Sequence, residues 1–227
     1  MNALKRIPIR YFGELHDIEL LNFSVDLEEV KPMVPQGIAV RDFNGRALIS
    51  MVNVSLRKMH PSFVPEFLNF NYRHVAFRLL VDDSVYNDGT CKGIFFLRSF
   101  TDQQLIVWGG RQMTDYNLEK AFFQKTPESF LLKQGSQLLE YRIGGEAPQI
   151  THPELLKTVG LLDRAYAMRG KDLLVTQILR EKWPLEEVNI TNFQTNFFRS
   201  ARLEGCFRVN ETIYYQWKPA KKVNIKG

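Results

Sequence analysis

Between Trp108 and Lys120 the chain gathers an indole (Trp108), a guanidinium (Arg111), two carboxylates (Asp115, Glu119), a phenol (Tyr116) and an amine (Lys120). Such a set suits a carbonyl or carboxylate ligand. Arg111 would offer a planar fork to anionic oxygen, and Glu119 would move a proton if a pocket desolvated it and raised its pKa. Trp108 and Tyr116 would make an apolar wall with one polar tip. Amine chemistry fares worse. A lysine becomes nucleophilic near neutral pH only when desolvation or an adjacent cation depresses its pKa, and Glu119 beside Lys120 acts in the opposite sense. Each residue also has a structural reading. Arg111 can tie a loop to Asp115 or Glu119, Glu119 can pair with Lys120 or Lys125 on a surface, and the aromatic pair can be core.

A second pair, Arg73 and His74, makes an anion site if both side chains face inward; a histidine beside an arginine on a strand is more often a hydrogen-bonded structural residue. Asn53 and Ser55 can supply hydrogen bonds to a ligand or to a loop. The remaining histidines, His16, His60 and His152, are scattered, and the last two precede prolines, which suggests turns. Cys91 and Cys206 sit in no CxxC motif and beside no histidine, so no metal site is expected. The sequence has no nucleophile elbow, nucleotide loop, dinucleotide fingerprint or zinc spacing, and no cofactor is expected.

Short strands must position these groups. Asp26-Leu27-Glu28-Glu29 has the form of a capping box ahead of a helix that Pro32 and Pro35 keep short. Asn44-Gly45 predicts a tight hairpin within 38–56. After it Leu48, Val52, Val54 and Leu56 share one face, with Ser50 the polar exception. Ala47, Ile49, Met51, Asn53 and Ser55 share the other, a mixed face that can line a cavity or run from core to solvent. Over 74–82, Val75, Phe77, Leu79 and Val81 oppose His74, Ala76, Arg78 and Leu80. A strand follows at 91–100, then a helix capped by Thr101 or Asp102 and running toward Met113, although Leu105-Ile106-Val107-Trp108 alone could equally be strand. Further strands fit 130–132 and 138–143 around Gly135-Ser136, then 163–168 and 173–179 around Gly170-Lys171. The last fall near 193–198 and at 213–217. Frequent turns, many strands and few helices argue for an α+β fold, mainly antiparallel β, with closure into a barrel left open by the pattern alone.

The 227 residues suit one domain over 1–227 with a substantial core. Phenylalanine is abundant, 17 residues, as expected of an aromatic interior or pocket. The net charge of +5 is concentrated at the end, where Lys218, Lys221, Lys222 and Lys226 fall in the last ten residues. No basic face for nucleic acid is implied, and residues 219–227 read as a solvated Lys-rich tail. No signal-peptide stretch or membrane-length apolar run occurs, so a cytoplasmic chain with no membrane partner is the expectation.

Several segments together resemble the YqjF-like branch of the acetoacetate-decarboxylase-like superfamily, a domain-of-unknown-function family. They are Leu27 to Gly37, Asp42 to Leu56, Asn71-Tyr72-Arg73, Gly93 to Leu97, Trp108 to Arg111, Arg164 to Leu185 and Trp217-Lys218-Pro219. They keep the family's order over roughly residues 15 to 220. The resemblance implies a closed conical barrel of antiparallel strands, flanked by short helices, with a pocket inside. In the decarboxylases a Gly-Gly-Arg-Glu run precedes Pro-Lys-Lys, whose first lysine forms a Schiff base. In register, Asn117 falls under the proline, Leu118 under the nucleophile and Glu119 under its cationic neighbour. Lys120 comes two positions late: on a helix it would point about 200° away, on a strand it returns to the same face. Arg73 and His74 fall where those enzymes carry a carboxylate after a tyrosine. The branch itself lacks the lysine pair, and Thr114-Asp115-Tyr116-Asn117 here replaces its usual aromatic-Gly-Leu-Pro.

Schiff-base decarboxylation is therefore not expected. Three readings stay open. The first is a protein that binds a small apolar or aromatic molecule, with a carboxylate or carbonyl meeting Arg111 or Arg73, in a pocket bounded by Trp108, Tyr116, Asn53 and Ser55. The second is an enzyme on keto-acid-like or enolisable substrates, with Arg111 at the oxyanion and Glu119 or His74 moving a proton. The third is an interaction module with a filled barrel. A homo-oligomer is compatible with all three.

Overall fold

A computed structural model describes residues 8–87, 89–116, 118–144 and 153–223. The sequence opens on a long strand, β1 (Tyr11–Val25), then a one-turn helix, α1 (Leu27–Val30), which passes into a 3-10 turn at Lys31–Met33 with Pro32 in its first positions. Short β2 (Ala39–Val40) and β3 (Asp42–Phe43) lead into β4 (Arg46–Pro61), β5 (Phe70–Asp82) and β6 (Gly93–Thr101). Helix α2 (Gln104–Met113) precedes β7 (Leu118–Lys120), β8 (Phe122–Lys125), β9 (Ser129–Gln134) and β10 (Gln137–Ile143). After α3 (Pro153–Gly160) come β11 (Arg164–Arg169), β12 (Asp172–Arg180), β13 (Glu186–Val188) and β14 (Ile190–Thr195). The chain ends with β15 (Arg202–Val209), β16 (Ile213–Trp217) and β17 (Lys221–Lys222).

Strand β1 pairs with β16 at its first half and with β4 along nearly its whole length, and this double pairing closes a ring. Running round it are β1, β16, β12, β11, β6, β5 and β4, a closed seven-strand barrel of mixed direction. The single parallel seam in the ring joins β6 to β11; the other ladders are antiparallel. A separate four-stranded antiparallel sheet, β14-β10-β9-β8, packs on the outside.

Two cores result from the alternation of side chains along each strand. Leu21, Phe23, Ile49, Met51, Val75, Phe77 and Leu79 point out of the barrel and meet Phe130, Leu132, Leu139 and Tyr141 of the second sheet. Leu15, Leu20, Val52, Val54, Leu56, Ala76, Leu80 and Ile94 point inward, where Leu155 and Val159 of α3 join them. The face split expected for 47–56 is thus present, but its roles are exchanged. The mainly apolar face, with Ser50 its polar exception, lines the interior, and the mixed face carrying Asn53 and Ser55 lies against the outer sheet.

Several expected elements are as read. Asn44 and Gly45 both take positive φ in the hairpin that joins β3 to β4. Gly135 and Gly170 turn β9 into β10 and β11 into β12. Others differ. Asp26 does not cap α1: its carboxylate pairs with Arg46, and Glu29 accepts from the Arg199 and Ser200 amides instead. Gln103, not Thr101 or Asp102, is the N-cap residue of α2. His60 lies in β4 rather than in a turn. The first part of the tail is docked rather than solvated: Lys221 and Lys222 pair with β12 and Val223 is buried. His152, Asn117 and Lys226 lie outside the described residues. No helix among the described residues is long and apolar enough to cross a membrane.

Candidate ligand cavity

The inward faces of all seven barrel strands border one cavity of about 690 Å³. That volume falls in the range of small-molecule sites. Its walls are mostly apolar: Leu15, Val52, Val54, Ile94, Leu174 and Ile178, with Phe96, Tyr116 and Trp217 forming an aromatic flank. Tyr116 meets Phe96 edge-on at 4.7 Å between ring centroids and Trp217 at 5.1 Å. Phe70, Leu105 and Trp108 border the same cavity from its exposed rim, and Trp108 keeps 68% of its surface accessible.

Few polar groups reach this interior, and the one carboxylate in its lining, Asp115, is held by Arg169. Arg78, on the inward face of β5, is 7% exposed. Its Nε donates to the Ser50 carbonyl oxygen at 3.0 Å and its Nη2 to Ser50 Oγ at 2.8 Å, leaving Nη1 without a partner among the described residues. Arg180, at the end of β12, donates from Nη2 to the Gly160 and Leu162 carbonyls at 2.9 and 3.1 Å, and from Nη1 to the Glu181 carbonyl at 3.2 Å. Both guanidiniums lie against Trp183, with Cζ 5.9 Å (Arg78) and 4.2 Å (Arg180) from an indole ring centroid. Neither forms an ion pair with a carboxylate of the described residues. Burial, followed by mutual repulsion, pulls the Arg78 pKa down to about 9. Burial also lowers Arg180 to about 10, with Asp163 opposing from beyond pairing distance. Both stay protonated at neutral pH.

His74 stands two pleat repeats from Arg78 on the same face, with Ala76 between them, and borders the cavity. Its ring meets Tyr72 edge-on, and its nitrogens make no hydrogen bond within the described residues. Burial, reinforced by the Arg78 charge, lowers its pKa to about 4. The imidazole is therefore neutral at pH 7, a donor and acceptor rather than a charged group. Desolvation likewise raises the Tyr11 phenol to about 12. The buried Tyr11 and Tyr116 hydroxyls and Trp183 Nε1 lack well-formed hydrogen bonds, although Tyr116 approaches Thr176. At the cavity border Arg169 is already satisfied, with Asp115 at 2.5 and 3.1 Å.

Residues 13–218 match the model of a family described as an uncharacterised conserved protein, domain of unknown function 2071. The chain belongs to that family. No curated protein matches it. Among solved structures it is similar to an acetoacetate decarboxylase-like enzyme from Sphingomonas wittichii RW1, with TM-score 0.62 and 10% identity over 98% of this chain and 95% of that one. It is also similar to acetoacetate decarboxylase from Legionella pneumophila, with TM-score 0.62 and 11% identity over 96% and 87% of the two chains. The enduracididine biosynthesis enzyme MppR matches with TM-score 0.59 and 10% identity over 97% and 89%. At these identities the likeness shows the fold: an acetoacetate-decarboxylase-like barrel.

Within this family fold the residues read from sequence separate into two groups. His74, Trp108 and Tyr116 border the cavity, as does Leu118. The others do not. Arg111 is exposed on α2 and donates from Nε to the Leu118 carbonyl at 3.1 Å; it meets neither Asp115 nor Glu119. Glu119 points out of the barrel, where Arg98 holds it at 2.9 Å and Gln134 at 3.0 Å. Lys120 is exposed on β7, and among the cavity residues the one lysine is Lys218, which donates to Gln177 at 2.9 Å. Arg73 and His74 do not converge, since successive residues of a strand face opposite ways. Arg73 donates to Asn53 and Ser55 at 2.8 Å each on the outer face. There Asn53 joins a buried network on Glu19, with Tyr141 at 2.5 Å, Lys125 at 3.0 Å and Arg208 at 3.2 Å. Asn53, Ser55 and Arg73 are thus inter-sheet structure. Sequence reasoning passed over Arg78, Arg180 and Trp183. The available signal was an arginine within an otherwise apolar strand face.

Proposed function

We propose that the protein binds one small, largely apolar organic molecule, bearing a carboxylate or carbonyl, inside its barrel. The observation that carries this reading is the 690 Å³ cavity, bordered by all seven strands and mostly apolar, with a few convergent polar groups. A packed protein interior leaves few voids larger than a water molecule. A cavity of this size argues against the filled-barrel interaction module. A MppR structure contains pyruvate, which supports a barrel of this fold as a host for a keto acid. An enzyme working through Arg111 and Glu119 has no geometry here, because both lie outside the cavity. His74, neutral at pH 7, suits hydrogen bonding to a ligand better than proton abstraction.

Native mass spectrometry of the purified protein, set against its denatured mass, tests the reading together with a thermal-shift screen of neutral and acidic aromatic compounds. The expected result is a retained small molecule or a stabilising compound, abolished in Ala167→Phe, which fills the cavity. A clean apo mass combined with no stabilising compound would sink the proposal.

A further inference from the structure

We infer that Arg78 and Arg180, gathered at Trp183, form an anion subsite that takes the carboxylate of a flat or chain-like apolar acid. The inference rests on the cavity being a binding site and assigns the ligand's charge and orientation within it.

The argument starts from cost. Moving a cation from water into an apolar interior is expensive unless a counter-charge and hydrogen bonds offset it. Most half-buried arginines that serve structure here have a carboxylate within pairing distance: Arg46 has Asp26, Arg98 has Glu119, Arg164 has Asp83, Arg169 has Asp115 and Arg208 has Glu19. Arg41, outside the cavity, donates to the Cys91 carbonyl instead. Of the three arginines that border the cavity, Arg169 has its carboxylate, while Arg78 and Arg180 form no ion pair among the described residues. They share one indole and repel each other, and carbonyl or hydroxyl oxygens supply their protein hydrogen bonds. Those neutral acceptors fix each guanidinium in place without neutralising it. Arg78 Nη1 and Arg180 Nε have no hydrogen-bond partner among the described residues. An anion supplied from outside completes the pair.

The surroundings choose the class of anion. Phosphate esters bring double charge and a polar body, which the apolar walls would desolvate at a loss. A monocarboxylate brings one charge and an apolar remainder, which suits Val52, Val54, Ile94 and Leu174 and the Phe96–Tyr116–Trp217 flank. His74, neutral and two pleat repeats along the Arg78 face, can donate to a carbonyl further along the ligand. The acid end therefore lies by Trp183 and the apolar body runs along the strands.

Isothermal titration with 2-naphthoate and its uncharged isostere 2-naphthamide tests the assignment on the full-length protein, Arg78→Met and Arg180→Met. A charge-assisted hydrogen bond contributes about 1.5–3 kcal/mol, so naphthoate should bind at least about tenfold tighter than the amide. Each Met variant should lose most of that preference while its affinity for the amide stays within about twofold. Arg78→Lys, which keeps the charge but not the fork, should fall between. Equal binding of acid and amide to the unaltered protein overturns the anion subsite and leaves the cavity reading standing. Binding of neither overturns both. The comparison on the unaltered protein decides the matter even if a variant fails to fold.

Discussion

A buried arginine is the least economical way to fill a strand position, and Arg78 shows why its presence is informative. Replacing it by methionine removes an uncompensated charge from an apolar site while retaining most of the volume. The change also strips the donors from Ser50, at a cost of roughly 1 kcal/mol. Removing the charge should return at least that much, since hydrophobic replacements of buried ionic groups are often neutral or stabilising. Arg78→Met should therefore melt at or above the parent temperature in ligand-free protein; a fall of several degrees would mean that the cation is structural. His74 makes a second residue-level prediction. Its pKa is depressed from 6.5 to about 4, so between those values the unfolded chain holds a proton that the native chain refuses. Stability should therefore fall as pH drops below about 6.5, by roughly 3 kcal/mol once pH 4 is reached. Carboxylates such as Glu14 and Asp82, held below their usual range by hydrogen bonds, add their own acid sensitivity. The test is the difference between the parent and His74→Gln in urea melts from pH 7.5 to 4. Parallel curves would show that the ring is solvated.

The elements that were legible in sequence are those whose cause is local. The turn between β3 and β4 needs two residues at positive φ, and Asn44-Gly45 supplies them. A Cβ at Gly45 would meet nothing, so Gly45→Ala tests backbone strain alone. About 1 kcal/mol is expected from the left-handed conformation, or roughly 2–4 °C in melting temperature. An unchanged melt would mean the turn adapts. Strand β1 was not legible, and the reason is physical. It is buried on both faces from Ile18 to Val25, so polar and apolar residues do not alternate. A bulge at Asp17, with φ 51°, also shifts the register partway along. Gly205 and the shift near it hide β15 similarly. The site shared that fate. Arg78 meets Arg180 and Trp183 only because the barrel closes, while the chemically rich run from Trp108 to Lys120 begins in α2 and ends in β7, whose alternation sends Glu119 outward. Type and spacing along the chain revealed which residues could do chemistry. Sidedness decided which of them face a ligand.

At the scale of the whole molecule, the cavity exists only while the ring is shut, and its short joins are identifiable. The parallel seam of β6 and β11 pairs only Gly93, Ile94 and Phe95 with Arg164, Ala165 and Tyr166, and β12 meets β16 over an equally short antiparallel stretch, whereas β1 runs against β4 along most of its length. Asp83, 1% exposed, spans the seam from the turn after β5. Its Oδ1 accepts from the Lys92 and Gly93 amides at 3.0 and 3.1 Å, and its Oδ2 from Arg164 Nε at 2.6 Å and Tyr166 at 2.9 Å. One carboxylate thus holds both sides together. Asp83→Asn leaves the shape but removes the charge opposite Arg164. Breaking a buried pair in this way costs about 3–5 kcal/mol. Because opening is local, the loss should concentrate at the join. Native-state hydrogen exchange on Asp83→Asn should show protection falling first at Ile94, Phe95, Ala165 and Tyr166, with the β1–β4 ladder nearly unchanged. Ligand affinity should fall with it, since the inward faces of β6 and β11 form part of the wall. A uniform loss across all strands would mean that the barrel opens as one unit and that Asp83 is not its clasp.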